Sequence, residues 1–483
     1  MAFNSLNFVA FFALVVLLYF TLLSKRQWQL LFVASCYFYM VWRPEYIVLI
    51  LGESYATYWT GLAIARETLP ARRRAVVGTA IVGLLSVLFI FKYVDFVNAS
   101  IRTALGWIGA TWPVPDAGLV LPLGISFHTF ILIGYLLDVY RGKMLAEHDA
   151  GVFGVFSVFF PLLVAGPIER AEQLLPQFKR EHRWSGARVD NGLRLMAWGF
   201  FKKIVVADRI GPFVDQVYAD PHGYDGHTLV LSTVAFAFQI YCDFSAYSDI
   251  ARGAARVLGI ELTKNFNQPY FATSISEFWK RWHISLSTWL TDYVYSAFTR
   301  ASWLRLRWYP KFLVSLMLTF LVSGVWHGAA WTYVVWGALH GTYLVGSIVT
   351  QNLRRRLVGA IALDRFPMLL HAFRVGVTFS MVCLSYVFFR AESVSDGWHI
   401  VTHLLSPAPD VGDQTPSVLQ LALAAMLVVV VLTVEASSRD QDYGQWWSVR
   451  TAWQRWTLDY ALVSAMLLLS VVNATGSFIY FQF

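Results

Sequence analysis

The sequence predicts an all-α polytopic membrane protein, and three observations carry the prediction. Of 483 residues, 57% are hydrophobic and only 14% charged, against about 25% charged in soluble domains. The mean hydropathy is +0.52. Apolar runs recur from one end of the chain to the other, so one integral membrane domain over residues 1–483 is expected. Length alone would have suggested about three soluble domains. Aromatic residues make up 17%, which suits interface belts and cavity walls.

The first run, "FVAFFALVVLLYFTLL" (Phe8 to Leu23), has no basic segment before it, and Lys25 and Arg26 follow it. It reads as a retained helix with its N-terminus outside, not as a removed signal peptide. Runs follow near 28–41, 46–64, 76–97, 117–139, 152–168, 192–209 and 229–250. Those at 28–41 and 152–168 fall short of the roughly 20 residues a span needs and are expected to be re-entrant or partial. The run at 312–350 should hold more than one helix with a break between, and runs near 374–390, 417–434 and 459–480 complete the set.

One stretch differs. In "SISEFWKRWHISLSTWLTDYVY" (Ser274 to Tyr295), Ile275, Phe278, Trp282, Leu286 and Trp289 recur at helical spacing, with Glu277, Lys280, Arg281 and Asp292 between them. The turn-rich "KNFNQPYFATS" precedes it. The spacing predicts an amphipathic helix over 274–295, lying along the cytoplasmic membrane surface.

The net charge of +8 sits in short loops between apolar runs, the positive-inside pattern, not on a soluble face that would suit nucleic acid. Arg66–Arg74, Arg141–Lys143, Glu169–Arg188 and Arg252–Lys311 are rich in Lys and Arg and are placed in the cytoplasm. Asn98–Gly118 and Gly211–Thr228 are poor in them and are placed outside. Without an internal repeat, an inverted-repeat transporter gains no support. Cys36, Cys242 and Cys383 each sit in an apolar stretch and read as small buried hydrophobes.

Ionisable groups inside a span are costly and are functional candidates by default. Here they are Glu53, His128, Asp138, Asp243, Asp249, His283, His327 and His340. His327, in "SGVWHGAAW", is the sharpest. Lys311 marks the cytoplasmic end of its run, and the sixteen residues between rise about 24 Å into a core of about 30 Å. Hydrocarbon disfavours the charged ring, which leaves a neutral nitrogen able to act as a general base. Gly324 and Gly328 leave room for a substrate or a neighbouring backbone, and Trp326 and Trp331 could wall a slot. The residues alone do not separate this reading from a buried histidine bonded to a carbonyl. His283, beside Lys280, Arg281 and Trp282, reads either as an interfacial histidine with a wet tip or as a site residue. His340, thirteen residues after His327, falls on another helix face and reads as scaffold. His128 follows the helix break at Pro122 and Gly124 and could line the cavity. Asp249 with Arg252 fits an i,i+3 pair at a helix end; the deeper Asp243 could orient a base or a water. No HExxH, zinc spacing, P-loop or GxSxG elbow occurs, so metal, nucleotide-hydrolysis and serine-hydrolase chemistry find no support.

"PLGISFHTF", "LLDVYRG", "FPLLVAGPIER", "QIYCDFSAYSDIARG", "NFNQPY", "EFWKRWHISLSTWLTDYVY" and "GVWHGAAWTYVVWGALHG" occur in this order. Together they resemble the membrane-bound O-acyltransferase (MBOAT) family over about residues 120 to 345, above all its bacterial branch of alginate O-acetylases and teichoic acid D-alanyl transferases. The resemblance implies a ring of transmembrane and re-entrant helices around a funnel-shaped site. It implies that His327 is the catalytic residue and that His283 assists, with Asp243, Trp326, Lys280, Arg281, Trp282 and His128 in supporting places. It implies an acyl thioester donor from the cytoplasm, acetyl-CoA or an acyl carrier protein, and no bound cofactor or metal. The implied setting is a bacterial inner membrane, with membrane lipid around the chain, an exported polysaccharide as acceptor and an extracytoplasmic acyltransferase or esterase-like partner. A D-alanyl, lipid or protein acyltransferase is the alternative, and a transporter with a mid-membrane polar site a further one. Two departures weaken alginate as the polymer. After the amphipathic helix "SAFTRASWLRLRWYPK" replaces the Gly-rich stretch common in alginate-type members, and His128 stands where many relatives have Tyr.

Overall fold

The computed structural model of the chain describes residues 1, 3–406, 417–438, 441–471 and 478–479. Among these residues the secondary structure is helical, without a strand. Where one membrane domain was the sequence expectation, the residues gather into two compact units, Met1–Met196 with Tyr247–Thr263, and Ala197–Ala246 with Lys264–Ile479.

The first unit holds α1 (Leu6–Phe20), α2 (Gln27–Met40), α3 (Tyr46–Arg66), α4 (Pro70–Lys92), α5 (Val94–Gly106), α6 (Ile125–Tyr140), α7 (Ala150–Val158), α8 (Ala171–Phe178) and most of α9 (Gly186–Phe200). Local chemistry sets the ends. The Ser5 hydroxyl accepts the Phe8 N–H to cap α1. Pro70, which has no N–H to lose, opens α4. Gly124, at φ +74°, delays the start of α6 to Ile125, so 117–124 is not helical although the apolar run begins at 117. A Cβ there would overlap the Leu163 carbonyl oxygen. Asp149 caps α7 through the N–H groups of Gly151 and Val152, and α7 ends at Val158, giving way to turns through "FPLLVAGPIER". The run at 152–168 is therefore only partly helical and too short to span. Tyr39, Ile47, Ile50, Val158 and Leu163 form one of the cores, each buried aliphatic side chain contributing about 1.5–3 kcal/mol of transfer free energy.

The second unit opens with a π-helical segment, Phe201–Ala207, that runs into α10 (Asp208–Ala219). The long helix α11 (Gly226–Leu258) follows. At about 1.5 Å per residue its 33 residues exceed the hydrocarbon thickness, and its part from Tyr247 onward belongs to the first unit.

Ser274–Tyr295 is not the single amphipathic helix that its spacing predicts. It divides into α12 (Ile275–Arg281) and α13 (Ile284–Trp289), followed by a π-helical turn, Leu290–Tyr295, and α14 (Ser296–Arg300). The break falls at His283, whose φ of +43° no α-helix accommodates. Apolar periodicity alone does not reveal such a break, because α12 and α13 each keep an apolar face.

The run at 312–350 holds two helices with a break between, as expected: α15 (Trp308–His327) and α16 (Trp331–Val349), the break falling at Gly328–Ala330. Then come α17 (Gln351–Ala360), α18 (Pro367–Arg390), α19 (Val394–His403), α20 (Val418–Ser438), α21 (Tyr443–Ser448) and α22 (Ala452–Leu469). Asp442 with Gln445 and Thr451 with Gln454 form capping boxes at the starts of α21 and α22. The end of the expected run 459–480, residues 472–477 and 480, lies outside the described residues. Among the described residues six helices, α3, α4, α11, α15, α18 and α20, are long and apolar enough to cross a membrane. The chain is a multi-pass membrane protein.

Candidate active site

His327 is the last residue of α15 and is 5% exposed. Its depth in the unit follows from how α15 and α16 meet. Gly324 and Gly328 on the first helix and its cap, and Gly337 and Gly341 on the second, repeat the small-xxx-small spacing that lets membrane helices approach closely. A Cβ on Gly324 would overlap the Tyr333 carbonyl oxygen, and one on Gly337 the Phe320 carbonyl oxygen. A Cβ on Gly328 would overlap the Tyr333 ring. Of the two occupants the sequence left open beside Gly324 and Gly328, α16 is the one found.

Aromatic rings enclose the imidazole. Trp336 of α16 lies 4.9 Å away between centroids at 80°, Trp326 5.0 Å away at 72°, and Phe389 of α18 5.4 Å away at 74°. Trp331, expected to wall the slot beside Trp326, is 57% exposed and faces outward. Trp336 takes its place. Its signal in the sequence was its position one turn before His340, on the face of α16 that meets α15.

His340 is fully buried and held at both nitrogens. The Trp279 indole N–H donates to Nδ1 at 3.2 Å, and Nε2 lies 2.9 Å from the Ser385 hydroxyl. An indole can only donate, so Nδ1 accepts and the neutral ring carries its proton on Nε2. Ser385 then accepts that proton's hydrogen bond and passes its own to the Val382 carbonyl at 2.7 Å. Every polar atom of the trio is engaged, which fits the scaffold reading. Trp336 touches both histidines, its centroid 4.8 Å from that of His340.

His283 is fully buried at the turn between α12 and α13, so the wet interfacial tip read from the sequence is absent. Asn265 of "NFNQPY" holds this turn. Its carbonyl accepts the Ile284 N–H at 2.9 Å, and its Oδ1 accepts the Ser285 N–H at 3.2 Å and the Ser285 hydroxyl at 2.7 Å. The Asn267 N–H donates to the Arg281 carbonyl at 2.8 Å. These bonds stabilise the left-handed backbone that turns the His283 ring toward Phe244 (4.7 Å) and Trp326 (6.3 Å). Trp326 thus contacts the rings of both His283 and His327. Asn265 was hidden in the sequence, where it read as turn composition.

The other candidates divide. Trp282 packs among Phe266, Phe278 and Tyr386. Arg281 pairs with Glu277 at 2.7 Å and Lys280 points outward. Burial alone would raise the Glu277 carboxyl, but hydrogen bonds from Thr273 and the Arg281 charge hold it below its ordinary value. Asp243 binds Lys203 Nζ at 2.7 Å through Oδ1 and the Ile479 N–H at 2.8 Å through Oδ2. Its carboxylate is thus engaged at both oxygens by Lys203 and the Ile479 backbone. Lys203 also reaches Asp208 at 2.9 Å. Its signal was the pair Lys202–Lys203 inside the apolar run 192–209. His128 belongs to the first unit, where it lies 3.1 Å from the Ser157 carbonyl, 3.5 Å from the Ser54 hydroxyl and 4.0 Å from Glu53. Asp249 meets Arg252 at 3.6 Å as the expected i,i+3 pair.

The arrangement presents one helix-terminal imidazole in an aromatic enclosure, with a second imidazole beyond a shared tryptophan. The family model described as "MBOAT, membrane-bound O-acyltransferase family" matches residues 152–388, which include both. The "Probable alginate O-acetylase AlgI" of Pseudomonas aeruginosa is 36% identical over 410 residues, 84% of this chain and 75% of its own. Its counterpart in Azotobacter vinelandii is 35% identical over 438 residues, 89% of this chain and 83% of its own. The "Peptidoglycan O-acetyltransferase" of Helicobacter pylori is 31% identical over 411 residues, 78% of this chain and 73% of its own.

Proposed function

Because the chain belongs to the membrane-bound O-acyltransferase family, we propose that it takes an acetyl group from a cytoplasmic thioester and delivers it toward an exported polysaccharide. The single observation that carries the reading is the enclosure of His327 by Trp326, Trp336 and Phe389 at the end of α15. Apolar walls exclude bulk water and so protect a thioester from hydrolysis. They leave an imidazole as the group that can move a proton.

His327 accepts the proton of an acceptor hydroxyl. The oxygen bonds to the thioester carbonyl carbon, the carbon–sulfur bond breaks, and the departing thiolate takes the proton from His327 as a thiol. His283 assists from across Trp326 by orienting the donor. The donor is an acyl-CoA or an acyl carrier protein. In support of a cytoplasmic donor, residues 264–311 carry seven Lys and Arg against two acidic residues, which suits the phosphates of the one or the acidic surface of the other. The setting is a bacterial inner membrane, with an extracytoplasmic partner completing transfer to the sugar. Likeness to alginate and peptidoglycan O-acetylating proteins favours a polysaccharide acceptor.

The test is His327→Ala, assayed in membranes with radioactive acetyl-CoA. Loss of a general base should cut label transfer by about 10²–10⁴-fold, with unchanged amounts of folded protein. Transfer at the normal rate would overturn the mechanism. Label in extracted lipid, and not in polymer or a secreted protein, would overturn the acceptor.

A further inference from the structure

The second unit contains a cavity of about 710 Å³ that shares no lining residue with the His327 enclosure. Its walls are apolar side chains of three helices, among them Phe213 of α10, Val234 and Phe238 of α11, and Ala425 and Val428 of α20. Two of these helices, α11 and α20, are candidate membrane spans, so hydrocarbon is the medium at hand to fill the space. The volume falls in the range of small-molecule sites, roughly 300–1,000 Å³.

Besides Gln216 and Gln420, two charged residues break the apolar lining. Asp208 and Arg209 both reach the cavity wall; Asp208 lies 2.9 Å from the Lys203 ammonium, which it shares with Asp243. Arg209 spends Nη2 on the Leu469 carbonyl, and its buried Nε has no hydrogen-bond partner among the described residues. A guanidinium at the edge of hydrocarbon calls for an anion, and the Nη1 N–H groups are charge-assisted donors for phosphate oxygens. We propose that the cavity between α10, α11 and α20 is a binding site for an anionic phospholipid, one acyl chain along the apolar walls and the phosphate on Arg209. The proposal does not depend on the acyl-transfer reading, since the site is apart from His327 and its test reads bound lipid.

The full chain, incorporated in nanodiscs of equal phosphatidylglycerol and phosphatidylcholine and then extracted in mild detergent, should retain phosphatidylglycerol roughly tenfold over phosphatidylcholine, the size of one charge-assisted contact. Arg209→Gln should return the ratio to that of the bilayer. Because Arg209 also ties down Leu469, Ala425→Trp, which fills the cavity and keeps the charge, should remove both lipids while leaving the melting temperature within a few degrees. A bound ratio equal to the bilayer's in the unaltered chain would overturn the proposal. So would retention unchanged in both variants, or a photo-crosslinker at position 428 that captures a second copy or the chain's own C-terminal segment instead of lipid.

Discussion

Three of the buried aromatic side chains differ in what they support. Trp326 touches His283 and His327, Trp336 touches His327 and His340, and Trp279 donates a hydrogen bond to His340. The histidines are thus linked through indoles. His340 and His327 can be told apart by what removing a neighbour does. Ser385→Ala strands the buried Nε2–H of His340, which should cost about 1–3 kcal/mol of stability, read as a lower melting temperature. Acetyl transfer by the remaining folded protein should stay within a few-fold of normal. A loss of turnover as deep as that of His327→Ala would instead place His340 in the proton path. Helical phase does not separate His327 from His340, because the two lie on different helices, α15 and α16. The sequence pointed to His327 through its depth. It did not point to Phe389, because no local pattern links residue 389 to residue 327; only the packing of α18 on α16 does so.

At the scale of helices, the α15–α16 hairpin is the element on which His327 depends. Its glycines were visible, and so was a break within 312–350, though not its place at Gly328–Ala330. Which face each glycine served was not, since a glycine in a sequence is as compatible with a ligand as with a neighbouring backbone. Gly337→Ala tests the packing reading. The added methyl meets the Phe320 carbonyl oxygen and must move α15 away. A displacement near 1 Å costs roughly 10²-fold in rate, so acetyl transfer should fall by about that factor while the protein remains inserted. An unaffected rate would mean that the hairpin gives without moving His327. The turn at His283 was illegible for another reason. Its left-handed backbone is stabilised by Asn265, eighteen residues earlier, and not by its neighbours.

Across the whole molecule, the membrane class, most of the helical runs and the family were legible, because the bilayer imposes length and polarity on every span. The pairing of buried charges was not. Lys203, Asp208 and Asp243 form one ionic cluster only because the π-helical segment and α11 come together. Lys203→Met leaves two buried carboxylates without their cation and should destabilise the protein by about 3–5 kcal/mol. Adding Asp243→Leu and Asp208→Asn should recover part of that loss, measured as detergent-solubilised melting temperature. A single variant as stable as the parent would mean that water reaches the cluster. The same cluster holds a late-made stretch of the chain: Phe478 lies over the Lys203 ammonium at 4.6 Å, and the Ile479 N–H completes Asp243.

That last hydrogen bond has a bearing on biosynthesis. Ile479 follows Asp243 by 236 residues. At about 5–20 residues per second, a ribosome needs roughly 12–47 s to make the donor after the acceptor has been made. For that interval Asp243 has Lys203 but not its backbone partner, and the cluster is completed only when residue 479 has been made. A chain shortened before Ile479 would keep the Lys203–Asp243 ion pair and lack only this backbone hydrogen bond.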